Sequence, residues 1–266
     1  PRAEITWRQW LTMTDGLDYT EIGATSMADN DVIQMMYGPG RFDVLDYIKD
    51  ELPPLHEPGT VWNYSTAGFH LIGHALWRIE RQARAAAFRE GEQFIDNNPK
   101  HDTNIMASWM NDNFFFHIGM DALVEFDSSG TYLGGSLVWA SARDFAKFGY
   151  LYLRDGVWDG ERLLPEGWVD FARTKTPADN SNVYGAGWWI TAYGAPLTHA
   201  QNATTPPWDA FHAGGHEGQI IWVVPSRDLV IVHLGLMENT DENWSALYEW
   251  NQEIARAFPD VAAPVE

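Results

Sequence analysis

The sequence predicts an α+β fold, an α/β sandwich in which helices flank an antiparallel sheet, together with a helical subdomain. Helical patterns of apolar residues dominate the first two thirds of the chain, and extended apolar runs are concentrated in the last third. Two of these runs, residues 219–224 and 229–234, are joined by Pro-Ser-Arg-Asp, which is a hairpin signal. Helices and antiparallel strands segregate along α+β chains. No internal repeat, low-complexity linker or clear boundary divides the sequence, so we expect one domain. Its helical and loop-rich part covers residues 17–135, and its helices and antiparallel strands cover residues 136–266.

Turn and cap residues predict the first helices. A capping-box pattern, T-x-x-Q, opens a helix that we expect over residues 7–15, with Gly16 as its stop. A Gly-Pro-Gly breaker places residues 21–40 in a loop. The apolar spacing that follows predicts a short helix over residues 42–49.

The most informative segment is PGTVWNYSTAG at residues 58–68. A Pro-Gly turn leads into a short extended run that ends at Tyr64, and one-face apolar spacing then predicts a helix over residues 66–89. The hydroxyl of Ser65 or Thr66 is expected to cap this helix. Tyr64 is therefore placed near the positive end of a helix dipole, where a phenol is a candidate for acid–base chemistry. Taken alone, the pattern fits a core tyrosine at a helix junction better.

The remaining elements follow from similar signals. Ser141 has the N-cap pattern of one helix, and Gly156 is its stop. The expected elements are helices over residues 106–111, 142–154, 165–173 and 243–258, and a strand over residues 184–190.

Composition limits the classes of function. The chain has 266 residues, 45% of them hydrophobic, which is enough for a sizeable core. With 17 Lys and Arg against 37 Asp and Glu, the formal net charge is −20, so nucleic acid is not an expected partner. The absence of cysteine excludes disulfides and thiolate catalysis and leaves the compartment open. No apolar run approaches the length of a membrane span.

A second candidate site is AGGHEGQ at residues 213–219. Its glycines allow a ligand to approach the backbone, and N–H groups at a strand edge can hold an oxyanion. A turn before a hairpin strand explains the glycines equally well. His70 and His74 are four residues apart on a predicted helix, but no third metal ligand lies nearby, so packed or surface histidines are preferred. We expect no metal and no other cofactor.

Five segments, in order, are similar to the motifs of one protein family. Residues 5–17 are similar to ITIRHLLTHTSGL, 58–73 to PGTxFxYSNxGYxLLG, 134–158 to GGGLxxTARDLARFGxLYLxxGxW, 184–189 to YGYGWW, and 215–224 to GHGGQxIxVVP. The chain thus resembles the serine β-lactamase and penicillin-binding-protein superfamily, in its class C-like branch near 6-aminohexanoate-dimer hydrolase and esterases. The resemblance implies a β-lactamase/transpeptidase-like fold.

The family has three catalytic motifs, S-x-x-K, Y-x-N and K-T-G or H-x-G. Tyr64-Ser65-Thr66 matches the second, with threonine where asparagine is usual, and His216-Glu217-Gly218 matches the third. A threonine hydroxyl lacks the paired donor and acceptor of an amide. This departure weakens the case for β-lactam recognition more than the case for cleavage of esters or simple amides.

The first motif has no match, because none of the four lysines has a serine three residues before it. In the family, S-x-x-K precedes the segment that here begins at Ile5. The resemblance therefore implies that the domain over residues 1–266 is incomplete at its N-terminus. We expect a partner segment that carries S-x-x-K, and an inactive chain without it.

The resemblance implies a serine hydrolase that cleaves a small-molecule amide or ester through an acyl-enzyme. Tyr64 would move the proton, and His216 would position the substrate or Tyr64. The other oxyanion or substrate-binding positions are expected to be Thr66, Glu217, Gly218, Gln219, Tyr184 and Trp188. The alternatives are a non-catalytic relative that binds peptides or cell-wall fragments, and a structural fragment without an independent role.

Overall fold

The computed structural model describes residues 2–87, 103–179, 183–190 and 209–261. The chain forms two compact units. Unit 1 consists of Pro1–Phe116 and Ala122–Trp139, and unit 2 consists of His117–Asp121 and Ala140–Glu266. None of the helices in these described ranges combines the length and the apolar character needed to cross a membrane.

Unit 1 is mainly helical. Its helices are α1 (Trp7–Leu11), α2 (Asp31–Met36), α3 (Val44–Glu51), α4 (Thr66–Ala87) and α5 (Thr103–Met110), and a π-helical segment covers Asn111–Phe115. Two short strands, β1 (Ala122–Val124) and β2 (Val138–Ala140), form a two-stranded sheet. A buried cluster that includes Met35, Ile48 and Ala67 joins α2, α3 and the start of α4.

The predicted capping box of α1 is confirmed, since Thr6 and Gln9 bond to each other's backbone N–H groups. The predicted end of this helix is wrong. The hydroxyl and N–H of Thr12 bond back to the Arg8 carbonyl, and Met13 has a left-handed φ of 53°, so the helix ends at Leu11.

Helix α2 lies inside residues 21–40, which were predicted as loop. The Asn30 side chain caps α2 by accepting from the Ile33 N–H at 3.2 Å. Helix α3 starts at Val44 instead of residue 42, because Asp43 is its N-cap. Residues 88–89 of the predicted long helix lie outside the described residues.

Unit 2 combines helices with antiparallel strands. Its helices are α6 (Ala142–Leu153), α7 (Trp168–Ala172) and α8 (Asp241–Arg256). Its strands are β3 (Val157–Trp158), β4 (Glu161–Arg162), β5 (Phe211–Gly215), β6 (Gln219–Val224) and β7 (Leu229–His233). Strands β5, β6 and β7 pair antiparallel in that order, which confirms the predicted hairpin.

Alternate residues of β6 face opposite layers, as the pleat of a strand requires. Ile220 and Trp222 pack in a cluster with Tyr248 of α8. On the other face, Val223 packs in a cluster with Phe148 of α6. The sheet of unit 2 therefore has a helix on each face, which is the sandwich that the sequence predicts.

The predicted strand over residues 184–190 is wrong. Isolated bridges join Tyr184 to Trp189 and Trp189 to His212, and the residues between form a turn. The Gly185 N–H donates to the Trp188 carbonyl at 2.9 Å, and Gly187 has a φ of +79°, so the chain reverses here instead of extending.

Candidate functional site

Tyr64 lies directly before α4 on a segment that bonds to the loop after α1. The N–H of Asn63 donates to the Met13 carbonyl at 3.0 Å, and its side-chain amide donates to the Tyr19 carbonyl at 2.6 Å. The Ser65 N–H points at the Met13 sulfur at 3.5 Å. These bonds on both sides fix the backbone of Tyr64, whose side chain is half-buried.

Glu21 caps α4 in place of the predicted hydroxyl. Its Oε2 accepts from the N–H of Thr66 at 3.2 Å and from the Thr66 hydroxyl at 2.9 Å. The same oxygen accepts from the Tyr19 hydroxyl at 2.9 Å. The predicted cap by Ser65 is wrong, because its buried hydroxyl has no hydrogen-bond partner among the described residues. A carboxylate is favoured here because the helix N-terminus carries partial positive charge.

The surroundings of Tyr64 favour its protonated form. Burial raises the pKa of the Tyr64 hydroxyl, and the negative charge of Glu21 raises this pKa further. A tyrosine that serves as a base needs a lowered pKa, which a neighbouring cation provides. Within unit 1, Tyr64 is therefore set to donate its proton rather than to accept one.

His70 lies one turn after Thr66 and packs against the Gly134-Gly135 segment. Its Nδ1 accepts from the Gly135 N–H at 3.3 Å, and burial lowers the pKa of His70 to about 4. A Cβ at Gly135 would lie 2.7 Å from the Thr66 carbonyl oxygen, so this close approach requires glycine.

His74 stacks on Trp77 with ring centroids 5.4 Å apart. His70 is fully buried. Both His70 and His74 are therefore packed against neighbouring groups. Within the ranges that the structure describes, no group of three or more metal-ligating side chains comes together.

In unit 2, His216-Glu217-Gly218 forms the tight turn between β5 and β6. His216 is exposed, and its Nε2 lies 3.6 Å from the Glu217 carboxylate. Glu217 has a left-handed φ of 58°, and Gly218 has a φ of +87°. The family motif GHGGQ carries glycine at the position of Glu217, and this backbone conformation is the physical reason for glycine there.

The turn is fixed by hydrogen bonds to the end of β7 and to the segment after it. The Gln219 side chain accepts from the Gly235 N–H at 3.1 Å and donates to the Gly235 carbonyl. The Met237 N–H donates to the Glu217 carbonyl at 3.1 Å, and His233 Nδ1 lies 2.7 Å from the Gly218 carbonyl. Backbone groups of such a fixed turn are suited to electrostatic stabilisation of a reacting oxygen.

Tyr184 and Trp188 are core residues of unit 2. Each is 3% exposed. Trp188 stacks on Phe148 at 5.7 Å and meets Phe211 edge-on at 5.0 Å. The substrate-binding role expected for Tyr184 and Trp188 therefore stays a prediction.

The structure thus places the predicted residues in two groups. Tyr64 and Thr66 lie together in unit 1, and the remaining predicted positions lie in unit 2. Two further residues were missed by the sequence reasoning. No local sequence pattern indicates that Glu21 caps α4, because it is 45 residues from the start of that helix.

His212 did have a signal, since His212-Ala213-Gly214 also reads H-x-G and lies within β5. Its ring is 1% exposed, with Nε2 3.2 Å from the Tyr248 hydroxyl. Burial lowers the pKa of His212 to about 3, so the ring is neutral.

Solved structures of several proteins share this fold. A putative 6-aminohexanoate-dimer hydrolase from Bacillus anthracis is 18% identical, with a TM-score of 0.63 over 96% of this chain and 63% of its own. Simvastatin synthase from Aspergillus terreus is 16% identical, with a TM-score of 0.56 over 95% and 68%. A penicillin-binding-protein homologue from Caulobacter crescentus is 14% identical, with a TM-score of 0.54 over 92% and 70%.

The chain therefore spans less than two thirds of the length of the Bacillus anthracis protein. A search of curated proteins gave no match. The beta-lactamase family itself matches residues 1–251, which is nearly the whole chain. The chain belongs to the beta-lactamase family.

Proposed function

We propose that this chain acts in a serine hydrolase that cleaves a small amide or ester through an acyl-enzyme. The nucleophilic serine and its lysine belong to an S-x-x-K segment that precedes the chain. One observation carries the proposal. It is that Tyr64-Ser65-Thr66 matches the Y-x-N motif, and that hydrogen bonds fix the backbone of Tyr64 at the start of α4.

The proposed reaction transfers an acyl group to the serine and then to water. The serine oxygen attacks the carbonyl carbon while its proton moves to the neutral amine of the lysine. Tyr64 gives a proton to the leaving group as the carbon–heteroatom bond breaks, and water then hydrolyses the acyl-enzyme. The backbone N–H of Gln219, together with that of the serine, would hold the oxyanion. His216 would position the substrate.

A second candidate is a non-catalytic relative that binds peptides or cell-wall fragments. One observation favours it, namely that burial and Glu21 both raise the pKa of Tyr64. Without a nearby cation, this tyrosine would be a poor base at neutral pH.

Assays of the full-length gene product distinguish the hydrolase from the binding relative. We expect a fluorophosphonate probe to label a serine upstream of Ile5, and a chromogenic ester to be hydrolysed. Tyr64→Phe should lower turnover by about 10²-fold or more, in line with the loss of a general acid–base group. Tyr37→Phe is the matched control, because Tyr37 is 62% exposed, and it should keep wild-type turnover. No labelling and no turnover by the full-length protein would instead favour the binding relative.

A further inference from the structure

Leu236 is an exposed leucine whose backbone is held beside the turn between β5 and β6. The N–H of Gly235 donates to Gln219 Oε1 at 3.1 Å, and the N–H of Met237 donates to the Glu217 carbonyl at 3.1 Å. Leu236 lies between these two anchors, and its side chain is 87% exposed. Single exposed leucines are common on protein surfaces. This one differs because both of its neighbours bond to a predicted catalytic turn.

The packing of the next residue shows why Leu236 is exposed. Strands β6 and β7 pair as far as Ile220 and His233, and the residues that follow β7 run beside the turn. Met237 packs with the cluster that joins the sheet to α8. A Cβ at Gly218 would lie 3.3 Å from the Met237 sulfur. Neighbouring side chains of an extended segment point in opposite directions, so Met237 is turned inward and Leu236 outward.

The surface around Leu236 is apolar and acidic. Leu234, two residues earlier, is 39% exposed and adds to the apolar surface. Glu238 is exposed, Glu217 is partly exposed, and residues 229–245 contain no lysine or arginine. An apolar surface favours contact with an uncharged apolar group. Carboxylates near it disfavour a negatively charged one.

We propose that Leu236, together with Leu234, forms an apolar wall that selects an uncharged apolar group of the substrate. The wall adjoins Gln219, whose N–H would hold the oxyanion. This inference rests on the proposed hydrolase function and narrows its substrates to amides or esters without a carboxylate near the reacting carbonyl. The selected group belongs either to the acyl part or to the leaving group, because both are attached to that carbonyl carbon.

Two pairs of esters test the inference on the full-length protein. The acyl pair is p-nitrophenyl pentanoate and mono-p-nitrophenyl glutarate, and the leaving-group pair is butyl acetate and 4-acetoxybutanoate. Within each pair, a terminal methyl group is replaced by a carboxylate. The ratio of kcat/KM within a pair does not depend on how much of the enzyme is folded. The intrinsic reactivity of the esters cancels when a variant is compared with wild type.

Both Leu236→Ala and Leu236→Lys should weaken the preference for the methyl-ended ester. We expect Leu236→Ala to lower the ratio about fivefold, because less apolar surface remains to contact the methyl end. Leu236→Lys should lower it by about twentyfold or more, since the ammonium group also attracts the carboxylate. The pair whose ratio changes more identifies the side of the substrate that contacts the wall. Leu55→Ala and Leu55→Lys change a leucine of unit 1 that is 58% exposed, and should leave both ratios unchanged.

A Leu236→Ala protein that keeps both ratios would overturn the inference, whatever Leu236→Lys does. That result would mean that the preceding segment covers the leucine or that the substrate binds elsewhere.

If wild type shows neither labelling nor turnover, the proposed hydrolase function itself fails. The acyl pair then serves as two unconsumed ligands, and calorimetry measures their affinities for wild type and for Leu236→Ala. Tighter binding of the pentanoate than of the glutarate by wild type, reduced in the variant, would support the apolar wall as a binding site. Equal affinities in wild type, or an unchanged difference in the variant, would overturn it.

Discussion

Glu217 is a strained residue at the turn that joins β5 to β6. Its φ of 58° and ψ of 33° lie in the left-handed region, where a side chain costs about 1–2 kcal/mol relative to glycine. The turn keeps this conformation because the segment after β7 bonds to both the Glu217 carbonyl and the Gln219 side chain. Strain of this kind is often found at functional sites, and it lies in the third family motif.

Glu217→Gly should stabilise the protein. Relief of the left-handed strain outweighs the backbone entropy that glycine adds to the unfolded state, so we expect a gain of about 0.5–1 kcal/mol in the free energy of unfolding. Urea unfolding of the full-length protein measures this change in the free energy of unfolding. Glu217→Gln is the matched control, because it keeps the strain and should leave stability unchanged. A glycine variant that is less stable than wild type would contradict this account of the turn.

At the scale of elements, the packing of α6 on the sheet depends on one glycine. A Cβ at Gly149 would lie 2.7 Å from a methyl group of Val230 and 2.8 Å from a methyl group of Ile221. Glycine usually weakens a helix interior by about 1 kcal/mol relative to alanine. Its presence here allows the helix axis to approach β6 and β7 closely.

Gly149→Ala should therefore destabilise the protein, although alanine is usually more favourable than glycine inside a helix. The cost of overpacking, about 1–3 kcal/mol, exceeds the gain in helix propensity. Chemical denaturation gives the free energy of unfolding. Adding Val230→Ala makes room for the new methyl group, so the double variant should lose less than the sum of the two single losses. A stabilising Gly149→Ala would show that α6 shifts away from the sheet at little cost.

At the scale of the whole molecule, two fully buried histidines make stability depend on pH. Burial lowers the pKa of His70 to about 4 and that of His212 to about 3. In the unfolded chain both have a pKa of about 6.5. Below pH 6.5 the unfolded state therefore binds protons that the folded state does not bind. The free energy of unfolding falls as the pH is lowered through this range.

Each buried histidine should cost about 2 kcal/mol of stability on going from pH 7.5 to pH 5. Urea unfolding at several pH values measures the slope for the full-length protein. His70→Gln removes one titrating group and should reduce the slope by about 1.4 kcal/mol per pH unit below pH 6.5. His56→Gln changes an exposed histidine and should keep the wild-type slope. If His70→Gln also keeps that slope, the buried ring is not held neutral by the fold.

The sequence by itself determined the features that depend on near neighbours. Caps at Thr6 and Ser141, the hairpin turn after Val224, and the position of Tyr64 before a helix all follow from residue types a few positions apart. Hydrophobic periodicity and turn chemistry act over that distance, so these predictions needed no knowledge of the packing. The ordered family motifs placed the chain in its family for the same reason.

Only the tertiary structure decided which side chains meet across long separations in sequence. Glu21 reaches Thr66 over 45 residues and replaces the cap expected from Ser65 or Thr66. Trp188 is buried by helix and sheet, which no local pattern showed. Burial and long-range hydrogen bonds depend on how the whole chain packs, and no local pattern encodes them. The tyrosine could therefore be located from the sequence, whereas the burial and the Glu21 charge that raise the pKa of its hydroxyl became visible only in the fold.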